Sequence, residues 1–140
     1  MQRIVVALAL VTLAWGVPAA PADAADATIN MAGTQFLPQF TQVTAAGKVM
    51  FVNMEVANYP AVIGNHNVVP DEVVGALPGN QPFPTSSNLI EPGESWACEA
   101  GADGPVCTGI DGETVELKPG RYAFICGVHP NQMHGLLDIV

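Results

Sequence analysis

Three side chains near the end of the chain, Cys126, His129 and Met133, have the types and the spacing of a metal-binding loop. They lie in the segment YAFICGVHPNQMHG, residues 122–135, where a strand-like stretch leads into the cysteine and a short loop carries the other two. A thiolate, an imidazole and a thioether on one tight loop suit copper better than any other common metal. A lone cysteine is usually inert core, so the prediction depends on the combination.

A further imidazole has to come from elsewhere in the chain. The sequence has three histidines, and His66, in the segment NHNVV, is the one that lies outside the loop. A dinuclear copper centre would need a second cysteine in the loop, which contains none. A zinc site would rarely use a thioether. The residues therefore favour a mononuclear copper site built by His66, Cys126, His129 and Met133.

Several further segments accompany this loop, and together they resemble the cupredoxins, the small blue copper proteins. Within that family the resemblance is to the plastocyanin, pseudoazurin and amicyanin group, and it covers nearly all of the chain after the first two dozen residues. It implies an all-β, cupredoxin-like Greek-key β-sandwich of about seven to eight strands, one copper ion and one-electron transfer. The segments that carry it are GNHNVV (64–69), EPGES (91–95), KPGRYAFIC (118–126) and the ligand loop, with FLPQF (36–40) and AGKVMFVN (46–53) as early strands.

The resemblance also implies a role for individual residues. His66, Cys126 and His129 would lie in a rough trigonal plane around the copper, with Met133 as a weak axial ligand. Asn67 would tie the two ligand segments together and donate to the region of the thiolate. Electrons would enter and leave through the exposed edge of His129. An apolar rim would surround that edge, made of Gly127, Val128, Pro130 and Gly64.

The identity of the fourth ligand stays open because His134 follows Met133 directly. Three residues separate His129 from Met133, whereas amicyanin-like loops have two and plastocyanin-like loops have four. If the pattern Met-x-Gly aligns on Gly135, Met133 is the axial ligand. If the spacing from Cys126 decides, His134 reaches the metal, which resembles the red copper protein nitrosocyanin with its Cys, two His and Glu. We favour Met133, because no glutamate aligns with the ligand of that protein.

The start of the chain has the pattern of a secretory signal peptide. A short, weakly positive segment precedes an apolar run over residues 4–15, and small residues with Ala-x-Ala sites follow. We predict a signal peptide over residues 1–24, with Ala22 and Ala25 as alternative cleavage positions to Ala24, and a cupredoxin domain over residues 25–140. The run is too short to span a bilayer, so we expect a periplasmic protein without a membrane span.

The length of the chain limits the number of domains, and its net charge limits the classes of partner that it can bind. The 140 residues suffice for one domain, and 13 acidic against 4 basic residues give a net charge of −9. This charge argues against nucleic acid and anionic membranes, because polyanions repel each other. It permits a basic redox partner such as a cytochrome or a copper enzyme, although it could also serve solubility alone. We expect a monomer.

The remaining cysteines, Cys98 and Cys107, have eight residues between them that are rich in small and turn-forming types. In an oxidising compartment such a pair is expected to form a disulfide. The alternative, a second metal site, has no nearby histidine to support it.

Strand patterns and turn residues fill the rest of the chain. Gly and Pro number 14 and 12, and no long helical periodicity is present. Short alternating segments separated by dense turns are typical of an all-β sandwich. One helical turn is expected near residues 71–75. Strands are predicted at 28–31, 36–43, 49–56, 68–69, 95–99, 114–117, 121–126 and 135–140.

The sequence thus predicts a periplasmic type 1 copper protein that carries one electron between redox partners and is not an enzyme. Two alternatives remain. One is a copper-binding module for delivery or storage, and the other is a red-copper site with a catalytic role.

Overall fold

The computed structural model describes residues 26–56 and 64–140. The predicted signal peptide and its cleavage site lie outside the described residues, so they stay predictions. The described part contains eleven strands and one short helix. They are β1 (Ala27–Ala32), β2 (Gln35–Leu37), β3 (Phe40–Val43), β4 (Val49–Asn53), β5 (Val69–Pro70), α1 (Glu72–Gly75), β6 (Asn80–Pro82), β7 (Ser95–Glu99), β8 (Val106–Thr108), β9 (Thr114–Glu116), β10 (Gly120–Ile125) and β11 (His134–Ile139).

The strands form two sheets. One has six strands in the order β2-β1-β4-β7-β8-β9, and the other has the order β3-β11-β10-β5 with β6 pairing β10. Strands β1 and β4 run parallel, as do β3 and β11, while β10 and β11 form an antiparallel pair. The prediction of an all-β sandwich is confirmed.

The strand count differs from the predicted seven to eight. The segment predicted as one strand at 36–43 divides into β2, in the first sheet, and β3, in the second. Two three-residue strands, β6 and β8, were not predicted. Segments this short carry too few alternating positions for periodicity to reveal them, and their pairing depends on neighbours distant in sequence.

Aromatic rings fill the space between the sheets. Phe36, Phe51, Phe83 and Phe124 are fully buried. The Phe124 ring meets those of Phe36 and Phe51 edge to face, with centroids 4.8 and 5.3 Å apart. Phe124 lies on β10 two residues before Cys126, so the core fixes the strand that delivers the cysteine.

The predicted helical turn is present as α1. Asp71 caps it by accepting hydrogen bonds from the backbone nitrogens of Val73 at 3.1 Å and Val74 at 3.0 Å. Across residues 26–56 and 64–140, no helix has the length and apolar character needed to cross a membrane.

The structure joins Cys98 and Cys107 in a disulfide, as predicted. The two residues are directly paired across β7 and β8, and both are buried. The bond therefore links neighbouring strands of the six-stranded sheet. The group of possible metal ligands found among the described residues contains neither cysteine.

Candidate metal centre

Cys126 comes directly after β10, and its position is fixed on both sides. Its backbone nitrogen donates to the carbonyl oxygen of Met133 at 3.0 Å, so the two ends of the ligand loop meet. Its side chain is fully buried and forms no disulfide. The thiol is thus held at the end of a sheet strand, as the sequence predicted.

The loop folds back on itself between these ends. The backbone nitrogen of His129 donates to the Cys126 carbonyl at 3.0 Å, and that of Met133 donates to the His129 carbonyl at 3.1 Å. These bonds turn the His129 ring towards the cysteine, with Nδ1 3.7 Å from Sγ. His129 is half-buried, so part of the residue remains open to solvent.

His66 reaches the same point from a distant part of the chain. It forms an isolated bridge with Ile90, in which each backbone nitrogen donates to the other's carbonyl, at 3.2 and 2.7 Å. The ring is 0% exposed. Its Nδ1 lies 3.7 Å from Cys126 Sγ, across a sequence separation of 60 residues.

These three side chains form one group whose ligand atoms all lie within 4.8 Å of one another. A metal ion bound about 2.3 Å from a sulfur and 2.0–2.1 Å from a nitrogen, with a roughly trigonal angle between the two bonds, would hold the sulfur and the nitrogen about 3.7 Å apart. Both observed nitrogen–sulfur separations are 3.7 Å. The group is therefore placed to bind one metal ion, and a thiolate with two imidazoles is a donor set that suits copper.

The electrostatics of His66 favour the neutral ring that a metal requires. Burial lowers its pKa, and the neighbouring His129 lowers the pKa further, while the carboxylate of Glu55 opposes both effects. A neutral imidazole keeps a lone pair for coordination.

Met133 and His134 face opposite ways. Met133 is fully buried. The side chain of His134 is 45% exposed, and its Nδ1 lies 2.9 Å from Asp71 Oδ2. His134 is not a member of the three-residue group. The axial role of Met133 stays a prediction, supported by burial and by the outward direction of its neighbour.

The register that sets these directions depends on Gly135. Gly135 pairs with Phe124 across β10 and β11. A side chain at this position would overlap the Phe124 ring, which belongs to the aromatic core. The absence of a side chain therefore lets β11 lie close to β10, so that Met133 enters the interior and His134 leaves it.

Asn67 connects the two ligand segments, as expected. Its Oδ1 accepts a hydrogen bond from the backbone nitrogen of Gly127 at 2.7 Å. The same oxygen lies 3.7 Å from Cys126 Sγ, where it can accept from the thiol. The side chain thus presents an oxygen to the thiol, and the donation to the thiolate that the resemblance implies stays a prediction.

Two further residues at the site were not found from the sequence. Asn53, buried at the end of β4, donates through Nδ2 to the carbonyls of Gly64 at 2.6 Å and Ile90 at 2.8 Å. Glu55 places Oε1 3.9 Å from His66 Nε2. Neither residue belongs to a recognisable spacing pattern, because both reach the site through tertiary packing. Glu55 lies on the far side of the His66 ring, away from the sulfur.

Comparison with solved structures shows which known fold this architecture resembles. An amicyanin variant in the reduced state matches with a TM-score of 0.50 and 15% identity, over 81% of this chain and 80% of its own. The chain has the cupredoxin fold. A second amicyanin variant, in the oxidised state, matches this chain at 14% identity, with the same coverage and a TM-score of 0.50.

A copper-containing nitrite reductase (NirK) from Thermus scotoductus SA-01 also matches the cupredoxin fold. The TM-score is 0.57 and the identity 24%, over 83% of this chain. This chain spans 22% of the length of that protein. No protein-family model matches the sequence, and no curated protein matches it. The likeness therefore concerns the fold, and the metal site is argued from the geometry of this chain.

The surface beside the site has a shallow depression of about 220 Å³ next to His129. Of the residues expected in the apolar rim, Gly127 and Pro130 are exposed and Val128 is half-buried. Gly64 is buried and does not contribute to the surface. The depression is lined by Val128, His129, Pro130, Asn131 and Gln132.

Proposed function

We propose that this protein is a type 1 copper protein that carries one electron at a time between larger redox proteins. The observation that carries the proposal is the convergence of His66, Cys126 and His129, with both imidazole nitrogens 3.7 Å from the sulfur. A thiolate and two imidazoles accommodate both oxidation states of copper. Bound copper would supply the one-electron couple.

The protein's own contribution is to hold the ligands still. Cys126 and His129 are fixed by backbone hydrogen bonds within the loop, and His66 is fixed by its bridge to Ile90. Asn67 joins the two segments at 2.7 Å from Gly127. A site that is already arranged needs little rearrangement when its charge changes, and this favours rapid electron transfer over chemistry on a substrate.

Met133 is proposed as the weak axial ligand. Its side chain is buried at the end of the loop, and its backbone bonds to Cys126 and His129 hold it there. A thioether in this position would complete the set of two imidazoles, a thiolate and a long axial bond.

Partner docking is proposed at the surface around His129. The half-buried ring lies beside the depression that Val128 and Pro130 help to line, so it offers a short path between the site and a docked protein. Brief contacts of redox proteins are small and depend on charge. The net charge of −9 favours a basic partner, such as a cytochrome or a copper enzyme. The proposed location is the periplasm, reached through the predicted signal peptide, with the protein acting as a monomer.

The alternatives receive less support. A delivery or storage module would expose labile methionine and histidine ligands, whereas Cys126, His66 and Met133 are fully buried. A catalytic red-copper site built on His134 would need that ring at the metal, but it contacts Asp71 at 2.9 Å.

Visible and electron paramagnetic resonance spectra of the copper-loaded protein test the proposal. We expect an intense thiolate-to-copper band and reversible one-electron reduction. Cys126→Ser should abolish the band and leave the far-ultraviolet circular dichroism unchanged, because serine is close in size to cysteine and keeps the backbone hydrogen bonds of residue 126 with Met133 and His129. A wild-type protein that binds copper without this band, or a Cys126→Ser variant that retains it, would contradict the assignment.

A further inference from the structure

The two nitrogens of the His66 ring face different groups. Nδ1 lies 3.7 Å from Cys126 Sγ, whereas Nε2 lies 3.9 Å from Glu55 Oε1. Among residues 26–56 and 64–140, Nε2 is buried without a hydrogen-bond partner. The Glu55 side chain is only 12% exposed. The nearest charge to this buried nitrogen is therefore a largely buried carboxylate.

We propose that Glu55 is a positioning residue that holds the His66 proton on Nε2, directs the lone pair of Nδ1 at the metal, and lowers the reduction potential of the site. This inference rests on the proposed function, because it concerns the same metal centre.

Glu55 is held in place by hydrogen bonds to two parts of the six-stranded sheet, the end of β4 and the turn between β1 and β2. Its backbone nitrogen donates to Asn53 Oδ1 at 3.0 Å, just beyond the end of β4. Its Oε1 accepts a hydrogen bond from the backbone nitrogen of Gly33, in the turn between β1 and β2. The preceding residue, Met54, donates from its backbone to the Met31 carbonyl at 2.9 Å. The carboxylate thus has a defined position beside His66.

A neutral imidazole carries one proton, and its surroundings decide which nitrogen holds it. A carboxylate beside Nε2 favours the tautomer with the proton there, and it orients the ring as carboxylates do behind other metal-bound histidines. At 3.9 Å the contact is longer than a hydrogen bond. It acts as the attraction between a charge and an N–H dipole, which burial strengthens.

The same charge affects the redox balance. A fixed negative charge behind His66 favours the more positive oxidation state of a bound ion, so its removal should raise the reduction potential. The effect comes from the charge and not from the shape of the side chain. A glutamine at this position would keep an acceptor for Gly33 and lose only the charge.

The first test is Glu55→Gln in the copper-loaded protein. We expect the ratio of Cu(II) to Cu(I) affinity to fall by about tenfold, which corresponds to a rise of about 59 mV for a one-electron couple. The matched control is Glu94→Gln, which removes a charge from a nearby turn where Glu94 Oε2 accepts from the Glu91 nitrogen at 3.2 Å. A shift no larger than that of the control would overturn the electrostatic role.

The second test needs no metal and no variant. Long-range proton–nitrogen correlation spectra of the metal-free protein at neutral pH report which nitrogen of His66 carries the proton. We expect the Nε2–H form, and a His66 found in the Nδ1–H form would overturn the positioning role. If the copper-loaded wild-type protein lacks the thiolate band, the proposed function is refuted. If the band is present but Glu55→Gln leaves the reduction potential unchanged, only this inference is refuted.

Discussion

Asn67 Oδ1 accepts a hydrogen bond of 2.7 Å from the backbone nitrogen of Gly127, so the residue after His66 is tied to the residue after Cys126. The two residues are 60 positions apart in the chain. A side chain at Gly127 would come within 3.1 Å of Oδ1, which shows how closely the two segments approach. One hydrogen bond thus couples the two halves of the metal centre.

We therefore expect Asn67→Ala to weaken both the fold and the site. Loss of the bond should lower the free energy of unfolding of the metal-free protein by about 1 kcal/mol. Copper should also be lost more readily to a competing chelator. Denaturant unfolding and chelator competition measure the two effects. The control is Asn131→Ala, at an exposed position of the ligand loop. Equal behaviour of the two variants would show that the bond has no special role.

Met133→Leu and His134→Ala distinguish the two candidates for the fourth ligand. Met133→Leu removes the proposed axial donor but conserves volume in a buried position, so it should cost less than about 1.5 kcal/mol of stability. The reduction potential should rise while the blue colour persists. His134→Ala should leave the oxidised spectrum unchanged, since the ring faces Asp71. A strong spectral change in His134→Ala with a silent Met133→Leu would reverse the assignment.

Asp71 should make the metal-free protein sensitive to acid. Burial raises the pKa of its carboxyl, but hydrogen bonds from the Val74 nitrogen, His134 and the Val73 nitrogen outweigh burial and leave the pKa below its ordinary value. Because the folded-state pKa is depressed, the stabilisation is complete above the ordinary value of about 3.9 and is lost as the pH falls through the folded-state value.

We expect Asp71→Asn to lower the free energy of unfolding at neutral pH by about 1 kcal/mol. The variant should also show a smaller loss of stability below about pH 4 than the wild type. Denaturant titrations of the metal-free proteins across this range give both values. Asp111→Asn, at an exposed turn, is the control. Parallel pH profiles for the wild type and Asp71→Asn would contradict the prediction.

Removal of the disulfide should affect stability and not the metal centre. Cys98 and Cys107 are 9 residues apart in sequence, and closing a loop of this size contributes roughly 2.5–3 kcal/mol in the chain-entropy model. The double variant Cys98→Ala, Cys107→Ala should lose about that much. The copper spectrum should be unchanged, because the bond links β7 and β8 while the ligands lie elsewhere. An altered spectrum would show that the two regions are coupled.

Much of the centre could be predicted from the sequence because its chemistry is local. Cys126, His129 and Met133 occupy one loop whose residue types restrict the metal, and His66 is the one histidine outside it. Strands such as β4 and β11 were also predictable, since alternate residues on them are buried.

The contacts that the sequence did not reveal are those made by packing. Glu55 has no pattern that distinguishes it from other acidic residues, and it approaches His66 only because β4 ends beside the bridge to Ile90. The separation of β2 from β3 has the same origin, because their partners β1 and β11 lie in different sheets. A single sequence contains no direct record of such pairings.

The loop that carries Cys126 and His129 joins β10 to β11, so most of the described chain precedes it. During synthesis, His66 emerges long before the cysteine that it must meet. A nascent chain that ends at β9 therefore contains the imidazole of His66 but lacks the thiolate of Cys126. The complete set of donor side chains therefore exists only once the last loop of the domain has been made and β11 can pair with β10.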